Sequence, residues 1–154
     1  EAGYCLTTSS KRGPMRLISV IFGAPSMQER ASQTREILAW GYANFETVNV
    51  QPANQEIAKS KVWFGTENEA SIGLAEKFNV TMPKGQANAI KTQISVQPNL
   101  NAPLQKGQVV GKLTATLDGK VIAEKPLVAL QAVEEAGFFS RMIDHVKQFF
   151  SNLF

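Results

Sequence analysis

The chain has 154 residues, of which 44% are hydrophobic and 19% charged, and its formal net charge is +3. This length and composition suffice for a globular protein with a packed core. The positive charge is small and its lysines and arginines are scattered, so we expect no nucleic-acid partner.

Cysteine and histidine each occur once, as Cys5 and His145. One cysteine excludes an internal disulfide, and the spacing of the two residues matches no zinc pattern, so we expect no metal site. No glycine-rich phosphate loop is present, and no cofactor is expected. Cys5 is predicted to be a small buried strand residue. The sequence contains no secretory signal and no apolar stretch of membrane-spanning length.

The first 24 residues predict an antiparallel hairpin. Residues 4–9 are β-prone, and Gly13 and Pro14 supply turn chemistry. The dense apolar run 17–22 has the length of a buried strand. A two-stranded hairpin leaves sheet edges bare, so we expect these edges to pair with another segment.

A helix is predicted after the hairpin. Ser26 is placed to be its N-cap, and Glu29 follows three residues later, as in a capping box. Gly41 lies near the expected helix end. A stripe of apolar residues runs along this helix: Ala31, Ile37, Leu38 and Trp40.

From about residue 46 the helical periodicity disappears and short β segments follow. Residues 90–96 alternate apolar and polar, and Asp118-Gly119 is a strong hairpin signal. Several short strands separated by turns predict a small sandwich or barrel. The fold class is therefore mainly β: a β-hairpin with one helix, then a sandwich-like domain, then a C-terminal amphipathic helix.

The last 17 residues separate completely into two faces when placed on a helix. The apolar face consists of Phe138, Phe139, Met142, Ile143, Val146, Phe149, Phe150, Leu153 and Phe154. Arg141 and Lys147 lie among the polar residues and are suited to anionic headgroups. His145 lies on the polar face, where a solvated histidine is the simplest interpretation.

Three partners suit this apolar face: a membrane surface, the protein's own core, or another protein. The richness in phenylalanine and the position at the end of the sequence favour a membrane surface. Half of the circumference is polar, so this helix is not expected to cross a bilayer alone.

Ordered matches along the whole chain resemble the low-molecular-weight D-alanyl-D-alanine carboxypeptidases, the Gram-negative penicillin-binding proteins of the 5 and 6 type. They include "AGYCL", "MRLIS", "ILAWGYANFETVN", "VWFG", "APLQKGQVVG", "LDGK" and the phenylalanine-rich tail. The resemblance implies three parts: residues 1–45 from the end of a serine carboxypeptidase domain, a β-rich domain at 46–136, and a membrane anchor at 137–154.

The resemblance also implies a function. The family trims peptidoglycan pentapeptides through a serine that penicillin and other β-lactams acylate, on the periplasmic face of the Gram-negative inner membrane, to which the protein is attached peripherally. We expect this piece to supply a β pedestal and the anchor. The bare hairpin is expected to pair with the missing N-terminal piece or with a domain-swapped copy. The alternative is a self-contained, non-enzymatic, membrane-tethered binding module.

Catalytic residues are not expected in this chain, because the family's Ser-x-x-Lys, Ser-x-Asn and Lys-Thr-Gly motifs are absent. Lys91-Thr92-Gln93 is one residue from Lys-Thr-Gly, but it lacks the glycine and lies in an alternating strand. The resemblance places Arg30 beside the substrate groove, where its charge would hold an anionic carboxylate. A surface helix arginine without such a role is the simpler alternative.

Overall fold

The computed structural model describes residues 3–137 and is mainly β. Its elements are β1 (Tyr4–Arg12), β2 (Met15–Ala24), α1 (Met27–Asn44), β3 (Phe45–Gln51), β4 (Glu56–Trp63), β5 (Glu69–Gly73), β6 (Phe78–Pro83), a 3-10 turn (Ala87–Ala89), β7 (Ile90–Val96), β8 (Leu100–Asn101), β9 (Val109–Leu117) and β10 (Lys120–Ala129). The described residues fall into two compact units, 3–49 with 79–89 and 50–78 with 90–137.

The first unit contains the predicted hairpin. Strands β1 and β2 pair antiparallel from Arg12↔Met15 to Tyr4↔Ala24. The turn between them uses Gly13 at a φ of 56°, a conformation that glycine adopts without steric cost. The hairpin prediction is confirmed.

Helix α1 begins where its capping residues predict. The Ser26 hydroxyl accepts a hydrogen bond from the backbone N–H of Glu29 at 3.0 Å, which satisfies one of the free donors of the first turn. The helix packs on the hairpin, and a Cβ at Gly41 would lie 2.7 Å from Cδ1 of Leu17. Glycine at this position therefore permits close approach of helix and strand.

Two burial predictions in this unit are wrong. Cys5 lies in β1 as predicted but is exposed. The apolar run 17–22 forms most of β2, yet Ile18 is 68% and Phe22 is 77% exposed. The physical reason is the same for both: α1 covers one face of a two-stranded sheet, and no described residue covers the whole of the other face.

Strands β3 and β6 form a separate two-stranded sheet, most of which belongs to the first unit. The hydroxyls of Thr47 and Thr81 lie 2.7 Å apart, and Nδ2 of Asn49 donates to Oδ1 of Asn79 at 2.9 Å. These cross-strand polar pairs stabilise the small sheet from its exposed side.

The second unit is a six-stranded sheet in the order β7-β9-β10-β5-β4-β8. All neighbours pair antiparallel except β4 and the two-residue β8, which are parallel. The predicted Asp118-Gly119 turn joins β9 to β10. Both residues have positive φ, 49° and 78°, as expected for a two-residue hairpin loop.

The core of this second unit is aliphatic and aromatic. Its largest fully buried side chains are Phe78, Ile72, Leu74, Leu127, Val110 and Val133. The prediction of a mainly β protein is confirmed. The division of the chain at residues 45 and 136 stays a prediction, and the amphipathic helix predicted for the last 17 residues lies outside the described residues.

Candidate functional site

Arg30 lies in the first unit, near the N-terminus of α1. Its backbone N–H donates to the carbonyl of Ser26 at 3.0 Å, which fixes it in the first helical turn. Its Nη1 donates to the backbone carbonyl of Cys5 at 2.9 Å. The sequence placed these two residues 25 positions apart, and the fold joins helix and strand through them.

The guanidinium of Arg30 is not fully satisfied. Its Nε is buried and has no hydrogen-bond partner among residues 3–137. No carboxylate of the described residues forms an ion pair with it. A buried donor without an acceptor is costly, so this Nε is held in place against a desolvation penalty. Carboxylates are strong acceptors for arginine, often through two parallel hydrogen bonds.

Strand β2 presents an uncovered apolar face. Ile18, Val20 and Phe22 alternate along the strand and are all exposed, whereas the intervening positions point toward α1. Three large apolar residues on one strand face are exposed together, and contiguous apolar patches of this kind mark interaction surfaces.

Beside this face, strand and helix leave an apolar groove of about 290 Å³. Its lining residues are Leu17, Ile18, Ser19, Ile37, Leu38, Trp40, Gly41, Phe45 and Thr81. Trp40 is 60% exposed and meets the Phe45 ring edge-on at 5.7 Å. The Ser19 hydroxyl is buried without a partner among the described residues. The predicted apolar stripe of α1 is therefore present, but Ile37 and Trp40 are not core residues within residues 3–137.

In the second unit, a backbone clamp holds the residues that lead to the C-terminal tail. The backbones of Val133 and Leu104 exchange two N–H···O=C hydrogen bonds, at 2.8 and 2.9 Å. The Thr66 N–H donates to the backbone carbonyl of Glu134 at 2.8 Å, and the Ala136 N–H donates to the backbone carbonyl of Phe64 at 2.8 Å. Val133 is 1% exposed. Residues 133–136 are thus fixed to the second unit at both ends.

Space at Gly65 makes this clamp possible. A Cβ there would lie 2.7 Å from Cγ1 of Val133 and 2.9 Å from the carbonyl of Glu67. Gly65 also bridges Glu135 in antiparallel fashion. Sequence reasoning missed the clamp, and the only local signal was a glycine directly after an aromatic residue in "WFG".

The predicted membrane-binding residues all lie outside the described residues. They are Phe138, Phe139, Arg141, Met142, Ile143, Val146, Lys147, Phe149, Phe150, Leu153 and Phe154. Within residues 3–137, no helix has the length and hydropathy needed to cross a membrane. Over the same range, no three histidine, cysteine or acidic side chains gather in a way that would hold a metal ion.

Comparison with known proteins places these features in a family. The sequence model described as "Penicillin-binding protein 5, C-terminal domain" matches residues 45–135. D-alanyl-D-alanine carboxypeptidase DacA of Escherichia coli K12 is 40% identical over 100% of this chain and 38% of the relative. DacC of the same strain, also a D-alanyl-D-alanine carboxypeptidase, is 41% identical over 99% of this chain and 38% of the relative.

A solved structure gives the same result. Penicillin-binding protein 5 from Haemophilus influenzae superimposes with a TM-score of 0.79 at 40% identity, over 87% of this chain and 40% of the other. The chain thus spans about two fifths of the length of each of these proteins.

Proposed function

Because the chain belongs to the family of penicillin-binding protein 5 C-terminal domains, we propose that it is the C-terminal portion of a serine-type D-alanyl-D-alanine carboxypeptidase. In this role it supports a catalytic domain and attaches that domain to a membrane. The parent enzyme would trim peptidoglycan peptides and be acylated by β-lactams. The observation that carries the proposal is the alignment of the whole chain, hairpin included, with carboxypeptidases.

The uncovered surface of the first unit supports an upstream catalytic domain. The β2 face and the groove beside Trp40 lack a covering element among the described residues. Burying apolar surface contributes roughly 25 cal/mol per Å², so a segment that covers this surface is bound with substantial free energy. We propose that the catalytic domain supplies the segment that covers this surface. In the alternative, a domain-swapped second copy of the chain would supply it.

Arg30 is proposed to lie at the edge of the catalytic groove and to hold the substrate's terminal carboxylate. Support comes from the Nη1 bond to the backbone carbonyl of Cys5, which orients the guanidinium, and from the absence of an ion pair between Arg30 and any carboxylate of residues 3–137. An arginine with one edge held by the protein presents its remaining donors in a preorganised way, which lowers the entropic cost of binding.

The C-terminal tail is proposed to bind the outer surface of the inner membrane from the periplasm. Support comes from the complete separation of apolar and polar residues in 138–154 and from the clamp at 133–136, which would hold the tail's origin at a fixed point of the second unit. Catalytic domain and membrane would then lie at separate ends of the polypeptide.

Penicillin labelling tests the parent activity. Cells of the source organism are treated with a fluorescent penicillin, and proteins carrying this sequence are captured with an antibody against it. We expect a labelled polypeptide at least twice as long as this chain, and no label on the 154-residue chain alone. Capture of only an unlabelled polypeptide of this length would instead support the self-contained binding module.

Arg30 is tested in the labelled parent. Arg30→Ala is expected to slow acylation by penicillin roughly tenfold to a hundredfold, the range for a lost hydrogen bond to a charged group. Arg35→Ala, on the exposed side of the same helix, is the matched control. Equal rates for both variants would assign Arg30 a structural role only.

Liposome sedimentation tests the anchor. The chain is mixed with vesicles of phosphatidylethanolamine and phosphatidylglycerol, and the Phe149→Ser, Phe150→Ser double variant is expected to remain in the supernatant. Gln148→Ser with Asn152→Ser, two changes on the polar face, is expected to sediment like the wild type. Identical sedimentation of both double variants would refute the membrane proposal without affecting the carboxypeptidase proposal.

A further inference from the structure

Strand β7 forms one edge of the six-stranded sheet and is bonded, among the described residues, to β9 alone. Its pairing runs without a bulge from Ile90↔Leu117 to Val96↔Gly111. Its seven residues exceed the typical strand length of about five to six. Proteins often keep open edge strands very short, because such edges pair readily with other extended chains.

The register shows which backbone groups face outward. Gln97 N–H donates to the carbonyl of Val110 at 2.8 Å, one step beyond the last strand pair. Hydrogen bonding alternates along an antiparallel strand, so Lys91, Gln93 and Ser95 bond to β9 and the residues between them do not. The N–H and C=O groups of Thr92, Ile94 and Val96 therefore point away from β9, and no bond to them is present within residues 3–137.

The two faces of this edge differ in chemistry. On the core side, Ile94 is 40% exposed, although Leu113 opposite it is buried. On the other side, Lys91 is the single charged residue of β7 and forms no ion pair in the described part of the chain. The neighbouring Lys112 is already paired with Glu124 at 2.9 Å.

We propose that the β7 edge binds an extended segment of another protein, which adds a seventh antiparallel strand to the sheet. The segment would place β-branched aliphatic side chains beside Ile94 and an acidic side chain opposite Lys91. Main-chain hydrogen bonds to Thr92, Ile94 and Val96 would supply affinity, and the two faces would supply selectivity. This inference concerns the second unit and is independent of the carboxypeptidase proposal.

A second copy of the chain fits the edge less well. Strand β7 contains no carboxylate. In the antiparallel register that bonds Thr92, Ile94 and Val96 of both copies, Lys91 lies opposite Gln97 of the second strand, so its charge meets no acidic partner. A lysine on an edge strand is a common means of discouraging self-association. An acidic segment converts that same charge into a favourable contact.

Two N-methylated peptides test the proposal. The parent peptide, acetylated and amidated, is Val-Thr-Val-Thr-Val-Glu-Val, whose glutamate lies opposite Lys91 when the strands are antiparallel. Methylating its second and fourth nitrogens leaves the bonds to β7 intact and blocks stacking of the peptide on itself. Methylating its third and fifth nitrogens instead removes the hydrogen bonds to β7. Both peptides carry two methyl groups, so the second has the same size and hydrophobicity as the first and serves as its control.

Amide NMR shifts and fluorescence anisotropy with the full chain measure binding. We expect the first peptide to shift the amides of residues 90–96 and the second to bind about tenfold more weakly or not at all. Equal binding of the two peptides, shifts confined to other strands, or no shifts with the first peptide would each overturn the proposal.

Variants of the chain test the same edge from the protein side. Ile94→Pro removes an outward N–H without removing a bond to β9, which proline tolerates at an edge, and it is expected to weaken binding of the first peptide. Lys91→Glu should weaken that peptide and strengthen its lysine analogue, whereas Lys106→Glu, an equal charge change in a turn, should do neither. If Ile94→Pro unfolds the protein, the comparison of Lys91→Glu with Lys106→Glu still tests whether the peptide binds at β7.

Analytical sedimentation of the chain alone tests whether a second copy of the chain, and not another protein, occupies the β7 edge. The proposal expects no dimer that depends on β7. A concentration-dependent dimer that Ile94→Pro or Lys91→Glu abolishes or strengthens would show that a second copy occupies the edge, and would overturn the peptide assignment.

Discussion

Substituting Gly65 with alanine should loosen the clamp that holds residues 133–136. The φ of Gly65 is not in the left-handed region, so alanine is conformationally permitted and available space decides the outcome. The new Cβ would lie 2.7 Å from Cγ1 of Val133, about an ångström inside normal contact distance. Overpacking of this kind costs about 1–3 kcal/mol of unfolding free energy.

A double-mutant cycle with Val133 isolates this contact. Val133→Ala alone removes the two methyl groups of a side chain that is 1% exposed, at a cost of about 2 kcal/mol. It also removes the atom that the alanine at position 65 would strike. The double variant should therefore be about 1 kcal/mol more stable than the sum of the single changes predicts. The clash with the carbonyl of Glu67 remains, so relief is incomplete.

Urea denaturation gives the free energies, and hydrogen exchange locates them. The N–H groups of Ala136 and Thr66, which bond to the carbonyls of Phe64 and Glu134, should exchange faster in Gly65→Ala than in the wild type. An additive cycle, or unchanged exchange at both amides, would show that the clamp does not depend on the space at Gly65.

Three further changes test other contacts. The pKa of Glu124 lies below its ordinary value of 4.5, chiefly because Lys112 donates a hydrogen bond to its carboxylate. This stabilisation is present above pH 4.5 and is lost as the pH falls through the lowered pKa, so Glu124→Gln should flatten the dependence of unfolding free energy on pH in that range. A carboxyl NMR titration of Glu124 with a midpoint at or above 4.5 would contradict this prediction. Tyr42→Phe removes the bond to the Ser10 hydroxyl at 3.1 Å and should lower stability by about 1 kcal/mol, measured by urea denaturation. Ser19→Ala removes an unpaired buried hydroxyl and should leave the stability of this chain unchanged or raised in the same assay; a loss above about 1 kcal/mol would mean that the hydroxyl is bonded.

The parts of the fold that could be predicted from sequence are those fixed by neighbouring residues. The Ser26 cap depends on Glu29 three positions away, and the tight turn depends on Asp118 and Gly119 themselves. Both are predictable because a single local geometry satisfies their chemistry. The alternation in β7 likewise identified a strand, although not its place at the sheet edge.

The candidate sites could be predicted only in part, because they depend on distant partners. Arg30 was singled out through a resemblance, but its bond to the Cys5 carbonyl crosses from helix to strand and leaves no local pattern. The order of the six strands, with β10 between β9 and β5, likewise brings together segments far apart in sequence. Such pairings follow from how the core closes, which periodicity does not encode.

Burial of β2 was predicted incorrectly for an informative reason. A continuous apolar run such as 17–22 is typical of a strand covered on both faces. The described residues cover one face only, so Ile18 and Phe22 are exposed although their sequence is that of a buried strand. The carboxypeptidase proposal accounts for this mismatch between an apolar sequence and an open face, because it expects a covering element outside residues 3–137. An upstream catalytic domain is the element that fits the carboxypeptidase proposal, and in a longer polypeptide that includes this domain the amides of β2 should be protected from exchange.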